Sequence, residues 1–404
     1  MGMSLPDAAW RTRPGLAALT AVLGGASAQS RFVGGAVRDT LLGLAPADTG
    51  AIDIDIATSL PPQEVLERLE DARIRAVPTG LAHGTITAVT EGGPVEITTL
   101  RRDVATDGRH ATIAYTDDWR EDAARRDFTM NALYADPASG EIFDYFGGLD
   151  DLAAGRVRFI GDPRQRIAED HLRILRFFRF HARFGTEADA AGLEACTERA
   201  NDLMALSRER IAAELLKLLV ARRAVSVMGL MVERGIWRAV LPEIDADGVA
   251  RLAALAEREH AADIRPDPIR RLATLIPTAD GDSVAARLKL SNTNRKRVVA
   301  ATQGVGDEGP RALAYRCGVP GAIDRLLIAG DDIAPIADWT PPAFPISGGA
   351  LVERGLRKGP DVAAMRRHIE TQWIVEGFPD AARVDAIADS AVRDALSEPR
   401  AISG

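Results

Sequence analysis

The strongest constraint in the chain is the run Ile52-Asp53-Ile54-Asp55-Ile56. Strict alternation belongs to a strand, where the isoleucines point to one side and Asp53 and Asp55 to the other. The rise per residue then sets the two carboxylates about 7 Å apart on one face. Like charges at that separation repel and raise each other's pKa unless something positive lies between them. Oxygen donors of this kind suit Mg²⁺, which takes one or two carboxylates and leaves its other positions to water and substrate phosphate.

The residues just upstream fit the same chemistry. Val33 leads into Gly34-Gly35, and Arg38 and Asp39 follow at the opening of a predicted helix. A backbone at Gly35 can approach a phosphate closely, the helix start offers N–H groups, and Arg38 adds a charged fork. Each part alone is common: an Asp-x-Asp is usually a solvated strand edge, and Gly-Gly before a helix is usually a tight turn. Together they specify a site for a nucleoside triphosphate. With GGAVRD followed by DIDIAT, the stretch Arg31–Thr58 resembles the signature of the polymerase-β-like nucleotidyltransferases of the class II CCA-adding enzyme and bacterial poly(A) polymerase family. The connector from Leu44 to Ala51 is longer than that pattern and carries an additional Asp48.

Further motifs follow in chain order. Val95–Leu100 alternates as a strand, placing Glu96 opposite Val95 and Ile97. Glu96 is either a solvent-facing glutamate or a third carboxylate beside Asp53 and Asp55, the number usual in this polymerase type. Arg101–Tyr115 is polar and glycine-bearing, which predicts a mobile loop. It also resembles the TDGRHA loop that the CCA-adding branch needs to switch from C to A.

EDAARRDFTMNA (121–132) contains the family's RRDFTxNA motif. Arg125 and Arg126 can contact triphosphate, while Asp127 and Asn131, four apart on one predicted helical face, can hydrogen-bond a ribose hydroxyl. Without the upstream motifs this would read as a surface helix with an ordinary charge pair.

Residues 162–185, DPRQRIAEDHLRILRFFRFHARFG, are predicted to run as one helix from Ile167 onward, with Asp170, Arg173, Arg176 and Arg179 on a broad stripe. Eight arginines face three acids between Ala154 and Arg183. Periodicity alone favours a salt-bridged amphipathic helix. The alternative is recognition: an Asp accepts from an exocyclic amine and an Arg donates to a ring nitrogen or carbonyl. EDHLRxxRxxRF resembles the family's nucleotide-selecting motif, which implies that Asp170 and Arg173 read the base and that Arg176 and Arg179 assist with triphosphate. Such a pair satisfies cytosine or adenine and leaves unpaired groups against guanine or uracil, so no nucleic-acid template is needed.

Ser207–Val220 reads as a capped apolar helix whose Glu209, Arg210 and Glu214 brace the helix before it. Beyond residue 221 helices are separated by Gly and Pro. Arg270-Arg271 and Asn294–Arg297 are basic clusters suited to phosphate contacts, and the Pro-rich Trp339–Gly349 is a boundary or a ligand loop. Helices are predicted near 362–377 and 379–396.

Bulk properties narrow the classes. A chain of 404 residues exceeds one comfortable core, so several domains are expected. A net charge of −8 excludes non-specific coating of nucleic acid and confines any such contact to local basic surfaces. Two cysteines fit a reducing cytoplasm, and no stretch is long and apolar enough to span a membrane. Arg11, Arg13 and the apolar 15–25 imitate a secretory leader, but the spacing of Leu16, Leu19, Val22 and Leu23 predicts a helix packed under the glycine motif. The six histidines lack metal-binding spacing, no HD phosphohydrolase motif occurs, and no nucleophile elbow is present.

The expected fold is an α/β polymerase-β-like nucleotidyltransferase head (1–150), then an all-α neck for nucleotide selection (151–220), body (221–335) and tail (336–404). The expected activity is template-independent transfer of C, C and A from CTP and ATP to the tRNA 3′ end, with Mg²⁺ on Asp53 and Asp55. No protein partner is implied. Rival readings are poly(A) polymerase, a CC- or A-only enzyme, a small-molecule nucleotidyltransferase, and an RNA-binding module with an inactive site.

Overall fold

A computed structural model describes residues 3–44, 52–107 and 110–397. Residues 45–51, which include most of the long connector and Asp48, lie outside the described residues, as does the 108–109 tip of the TDGRHA segment. The contacts divide the chain into two compact units, 1–244 and 245–404. The boundaries expected from the sequence, at 150, 220 and 335, are finer than this division.

The first unit is built on a seven-stranded sheet of order β3-β4-β5-β2-β1-β8-β9. Its strands are β1 (Ser30–Val33), β2 (Asp55–Thr58), β3 (Arg75–Gly80), β4 (Thr85–Thr90), β5 (Gly93–Thr99), β8 (Leu133–Ala135) and β9 (Ile142–Asp144). The β2–β5 pair is parallel and the other pairs are antiparallel. Hydrophobic alternation sets the register: Ile54, Ile56, Ile86, Val95 and Ile97 are at most 2% exposed. On the opposite face of the sheet, Val33 stands beside Asp55 and Asp55 beside Glu96.

Helix α1 (Leu16–Val22) buries Leu16 and Leu19, with Leu23 just beyond it, so the leader-like segment is core. It packs on α3 (Pro62–Asp71), whose Val65 and Leu69 face the sheet. Between them in sequence, α2 (Gly35–Leu41) packs on β1 and β8. The second sheet face is filled by Val33, Ala57, Leu100, Ala123 and Tyr134, with Trp119 of α4 (Trp119–Ala124) over them. Helix α5 (Gly148–Ala153) closes this region.

Two expectations are corrected here. The described part of the loop predicted at Arg101–Tyr115 consists of two strands, β6 (Arg101–Asp107) and β7 (His110–Tyr115), paired as an antiparallel ribbon. Residues 121–132 do not form one helix, because α4 ends at Ala124 and only Thr129–Asn131 resumes, as a 3-10 turn. Asp127 therefore sits in the link, and its partnership with Asn131 comes from a turn.

The predicted helix from Ile167 is also broken. Helix α6 (Pro163–Glu169) stops at Asp170, whose backbone is extended (φ −152°, ψ 106°), and α7 (Leu172–Phe184) begins afterwards. Phe177, Phe178 and Phe180 of α7 are buried, and an aromatic cluster ties α7 to the sheet-bearing part: Phe128 lies 4.8 Å from Phe159 and 5.5 Å from Phe180. After α8 (Ala190–Glu198), α9 (Arg208–Leu219) and α10 (Ala224–Glu233) pack against α7. Ser207 does occupy the N-cap of α9, although its side chain makes no capping bond.

The second unit is all-helical: α11 (Ala246–Ala261), α12 (Pro268–Leu275), α13 (Gly281–Arg287), α14 (Asn292–Ala301), α15 (Pro310–Cys317), α16 (Val319–Ala329), α17 (Gly348–Glu353), α18 (Pro360–Val375) and α19 (Ala381–Ser397). The Pro-rich segment is part of its packing, since Ile346 is buried and Phe344 lies 5.2 Å from Trp373. One core cluster joins Ala312 to Ile346, Trp373 and Val392, across the expected boundary at 335.

The basic clusters are another correction. Arg270 and Arg271 are 5% and 6% exposed. Arg270 bonds Glu259 at 2.7 Å and Asp324 at 2.9 Å, and Arg271 bonds Glu259 at 2.8 Å. Arg297 is held by Asp324 and Asp267, and Arg295 by Asp282. Arg270, Arg271 and Arg297 thus cross-link α11, α12, α14 and α16 rather than face a phosphate backbone, whereas Arg295 ties α14 to α13 at the surface and Lys296 is exposed.

Candidate active site

The first unit contains a cavity of about 570 Å³ lined by Gly34, Gly35, Arg38, Asp53, Asp55, Arg126, Asp127 and Asn131 from the sheet-bearing part. The facing wall is Asp170, Arg173, Arg176 and Arg179. Nearly every residue singled out in the sequence thus meets in one place, although α7 and the Asp-x-Asp strand are more than a hundred positions apart.

The carboxylates come from the entry to β2. Asp53 precedes the strand and is exposed, and Asp55 opens it, half-buried, with Ile54 tucked into the core between them. Ile52 departs from the alternation and lines the cavity with the acids. Gly34, at φ 76°, lets its backbone pass close to this point: a Cβ there would lie 3.5 Å from Asp55 Oδ2. Burial first, then the charges of Glu96 and Asp53, push the Asp55 carboxyl up to about 6 against the opposing pull of Arg126. Glu96 is exposed and stands level with Asp55 across β2–β5, outside the cavity lining.

Negative charge is therefore undercompensated at Asp53 and Asp55, as a cation site requires. Among the described residues no group of three or more His, Cys, Asp or Glu is arranged to hold a metal by itself. Two carboxylates at an open cavity fit a hard divalent ion that keeps water and substrate oxygens in its remaining positions.

The arginines are all braced. Arg125 and Arg126 bond Asp122, which is 1% exposed. Burial favours its neutral form, but Arg126, Arg125 and the Tyr134 hydroxyl hold the Asp122 carboxyl down at about 2. Arg176 Nε donates to Asp127 Oδ2 at 2.7 Å, and Arg179 Nε to Glu214 Oε2. Arg173 does not pair with Asp170. Its Nη1 donates to Glu169 and to the Arg166 carbonyl, and its Nη2 to the Arg125 carbonyl. Asp170 instead accepts from Arg210 Nη2 at 2.8 and 3.1 Å. Arg38 is 5% exposed, with Nε and Nη1 engaged by Asp39 and Asn131, so it presents less of a free fork than expected.

Three charged lining residues escaped the sequence reading as site residues: Asp39, Arg183 and Arg210. Arg183 continues the arginine stripe one turn past Arg179, and Arg210 faces the site from α9, which was read only as a brace. Glu214 does brace, through Arg179.

A carboxylate-bearing strand facing an arginine-lined helix is the arrangement of a nucleotidyltransferase. Residues 30–158 match the poly A polymerase head domain, and residues 189–247 match the probable RNA and SrmB-binding site of polymerase A. CCA tRNA nucleotidyltransferase 1, mitochondrial, is 34% identical in Mus musculus and 35% in Homo sapiens, over 90% of this chain and 87% of each relative. The CCA-adding enzyme of Levilactobacillus brevis is 30% identical over 89% of this chain and 94% of its own. The chain belongs to the CCA-adding enzyme family. Membership of a nucleotidyltransferase family implies dependence on a divalent metal.

The fold agrees with solved structures of that family. The Bacillus stearothermophilus CCA-adding enzyme in complex with CTP superposes with a TM-score of 0.68 at 24% identity, covering 95% of this chain and 98% of that one. The Thermotoga maritima CCA-adding enzyme complexed with tRNA gives 0.69 at 20% identity, over 95% and 97%. Among the described residues no helix is long and apolar enough to cross a membrane.

Proposed function

We infer that the protein adds C, C and A without a template to the 3′ end of tRNA, drawing on CTP and ATP and releasing pyrophosphate. The observation that carries this reading is the shared cavity, in which Asp53 and Asp55 on one wall face Asp170 and the arginines of α7 on the other. In this reading Asp53 and Asp55 hold Mg²⁺, and Glu96 adds its charge from the neighbouring strand. Bound there, the ion supplies charge neutralisation at the phosphates and lowers the pKa of the attacking 3′-hydroxyl.

The chain's own groups do the rest. Arg126, Arg176 and Arg179 receive the triphosphate, with the backbone at Gly35 and the Arg38 side chain beside it. Asp127 and Asn131 hold a ribose hydroxyl, and Asp170 and Arg173 read the base edge. Arg210 holds the Asp170 carboxylate in place at the cavity, as an acceptor for the amino group shared by cytosine and adenine. Guanine and uracil offer an acceptor where that amino group stands, which opposes a carboxylate. Cys196 and Cys317 are both free thiols, in keeping with a reducing cytoplasm as the compartment we infer.

The test is direct. Incubated with tRNA lacking its 3′ end, CTP, ATP and Mg²⁺, the protein is expected to yield sequenced products ending in CCA and no longer. Long A tails would assign it to poly(A) synthesis, and products stopping at CC to a partial enzyme.

A further inference from the structure

A closed chain of hydrogen bonds runs through the cavity wall, beginning and ending on α7. Arg183 Nη2 donates to Asp39 Oδ2 at 3.1 Å. Asp39 Oδ1 accepts from Arg38 Nε at 2.8 Å and from Arg38 Nη2 at 2.7 Å. Arg38 Nη1 donates to Asn131 Oδ1, and Asn131 Nδ2 donates to Asp127 Oδ1 at 3.0 Å. Asp127 Oδ2 accepts from Arg176 Nε at 2.7 Å, back on α7 two turns before Arg183.

This chain dictates how Asn131 is presented. Its oxygen must face a guanidinium and its nitrogen a carboxylate, so turning the amide over would break both bonds at once. Asp127 is fully engaged, Oδ1 accepting from Asn131 Nδ2 and Phe128 N and Oδ2 from Arg176 Nε and Nη2, so what the pair has left to offer is the second N–H of Asn131, held in a fixed orientation. A sugar hydroxyl can accept from that N–H, and a deoxy sugar cannot. Aromatic rings shield the Arg38 end of the chain from water: the Arg38 guanidinium lies 4.7 Å from the Phe184 ring centre and 5.1 Å from that of Phe180, and Arg183 lies 4.8 Å from Phe184. Hydrogen bonds in such a shell are stronger, and a broken link costs more.

We propose that Arg183 and Asp39 are positioning residues for sugar selection, fixing Asn131 and Asp127 through Arg38 so that the site prefers ribonucleotides to deoxyribonucleotides. The proposal rests on the reading that Asp127 and Asn131 hold the ribose. Neither Arg183 nor Asp39 need touch substrate for this. Arg183 acts from the neck helix on a turn of the sheet-bearing part, 144 positions away from Asp39 in sequence.

The experiment compares CTP with dCTP as donor to tRNA lacking its 3′ end, in wild-type protein, Arg183→Ala, Arg183→Lys and Asp39→Asn. The ratio of kcat/KM for CTP to that for dCTP is expected to fall about tenfold in Arg183→Ala and Asp39→Asn, the worth of about one hydrogen bond. Arg183→Lys should recover part of it. A ratio unchanged in folded Arg183→Lys and Asp39→Asn, with CTP and dCTP losing equally, overturns the proposal and leaves the chain a purely structural tie. Should Arg183→Ala fail to fold, those two conservative variants decide the matter. Asn131→Ala, run alongside, separates the two layers: if its ratio is also unchanged, the ribose reading itself has failed.

Discussion

Asp55→Asn is expected to abolish nucleotide addition and, in the absence of divalent metal, to stabilise the protein. Loss of one of two carboxylates removes charge stabilisation worth several kcal/mol, so turnover should fall by at least about 10³-fold while tRNA still binds. The stability gain follows from the Asp55 pKa. The carboxyl stands at about 6 in the folded chain against 3.8 as the ordinary value. The folded state thus holds the proton more tightly. Its contribution is fully present below about pH 4, is lost as pH rises through about 6, and stays lost at pH 7.

Two units of pKa correspond to about 3 kcal/mol, and an amide that mimics the protonated acid should recover about 1–3 kcal/mol of that. Thermal unfolding in chelator at pH 7 measures it. Mg²⁺ should raise the Tm of the wild-type protein and leave the variant's where it was, because only the ionised pair binds. The low-pKa Asp122 titrates below pH 4, so it does not confuse the window between 4 and 6. Normal turnover by Asp55→Asn, or by Asp53→Ala, would sink the metal assignment.

The second large effect lies far from the chemistry. Asp324 is 1% exposed and accepts from Arg270 Nε at 2.9 Å and from Arg297 Nε at 2.7 Å. Among the described residues, replacing it with alanine leaves the buried Arg270 guanidinium with Glu259 as its one carboxylate partner and removes one of two from Arg297. Breaking one side of a buried ionic network costs about 3–5 kcal/mol. Hydrogen exchange across 245–404 should show Asp324→Ala opening this unit first, with CTP binding in the first unit retained. Lys296→Ala, an exposed cation on the same α14, should cost no more than about 0.5 kcal/mol. Equal effects for the two substitutions would show that the buried network contributes nothing special.

These contrasts show what the sequence could and could not convey. Short-range patterns were legible: alternation at Ile54 and Ile56, the spacing that buries Leu16 and Leu19, and the joint motifs that meet at the cavity. Partner choice over long separations was not. Arg270-Arg271 looks like a phosphate-binding cluster until Glu259 and Asp324 are folded onto it, and nothing local marks Asp324 as its partner 54 positions on. The break at Asp170 follows the same rule. No Pro or Gly announces it, although Asp170 and His171 are themselves weak helix formers. Asp170 leaves the helix for an extended backbone and meets Arg210 from α9, a tertiary contact that outweighs local propensity. In Arg101–Tyr115, composition suggested a loop where backbone pairing of the described residues makes a ribbon, since polar residues suit a two-stranded ladder as readily as they do a coil.

The bracing of the cavity arginines has a consequence of its own. Eight arginines line the space, and eight acids stand among or directly behind them when Asp122, Glu169 and Glu214 are counted with the five in the lining. A nucleotide that enters meets no bare positive field. It must swap places with resident anions, phosphate oxygen for carboxylate oxygen, on guanidiniums already oriented to receive it. Capture of the nucleotide is therefore governed by contact geometry rather than by long-distance attraction, and added electrolyte should weaken it far less than it would weaken an open cationic groove.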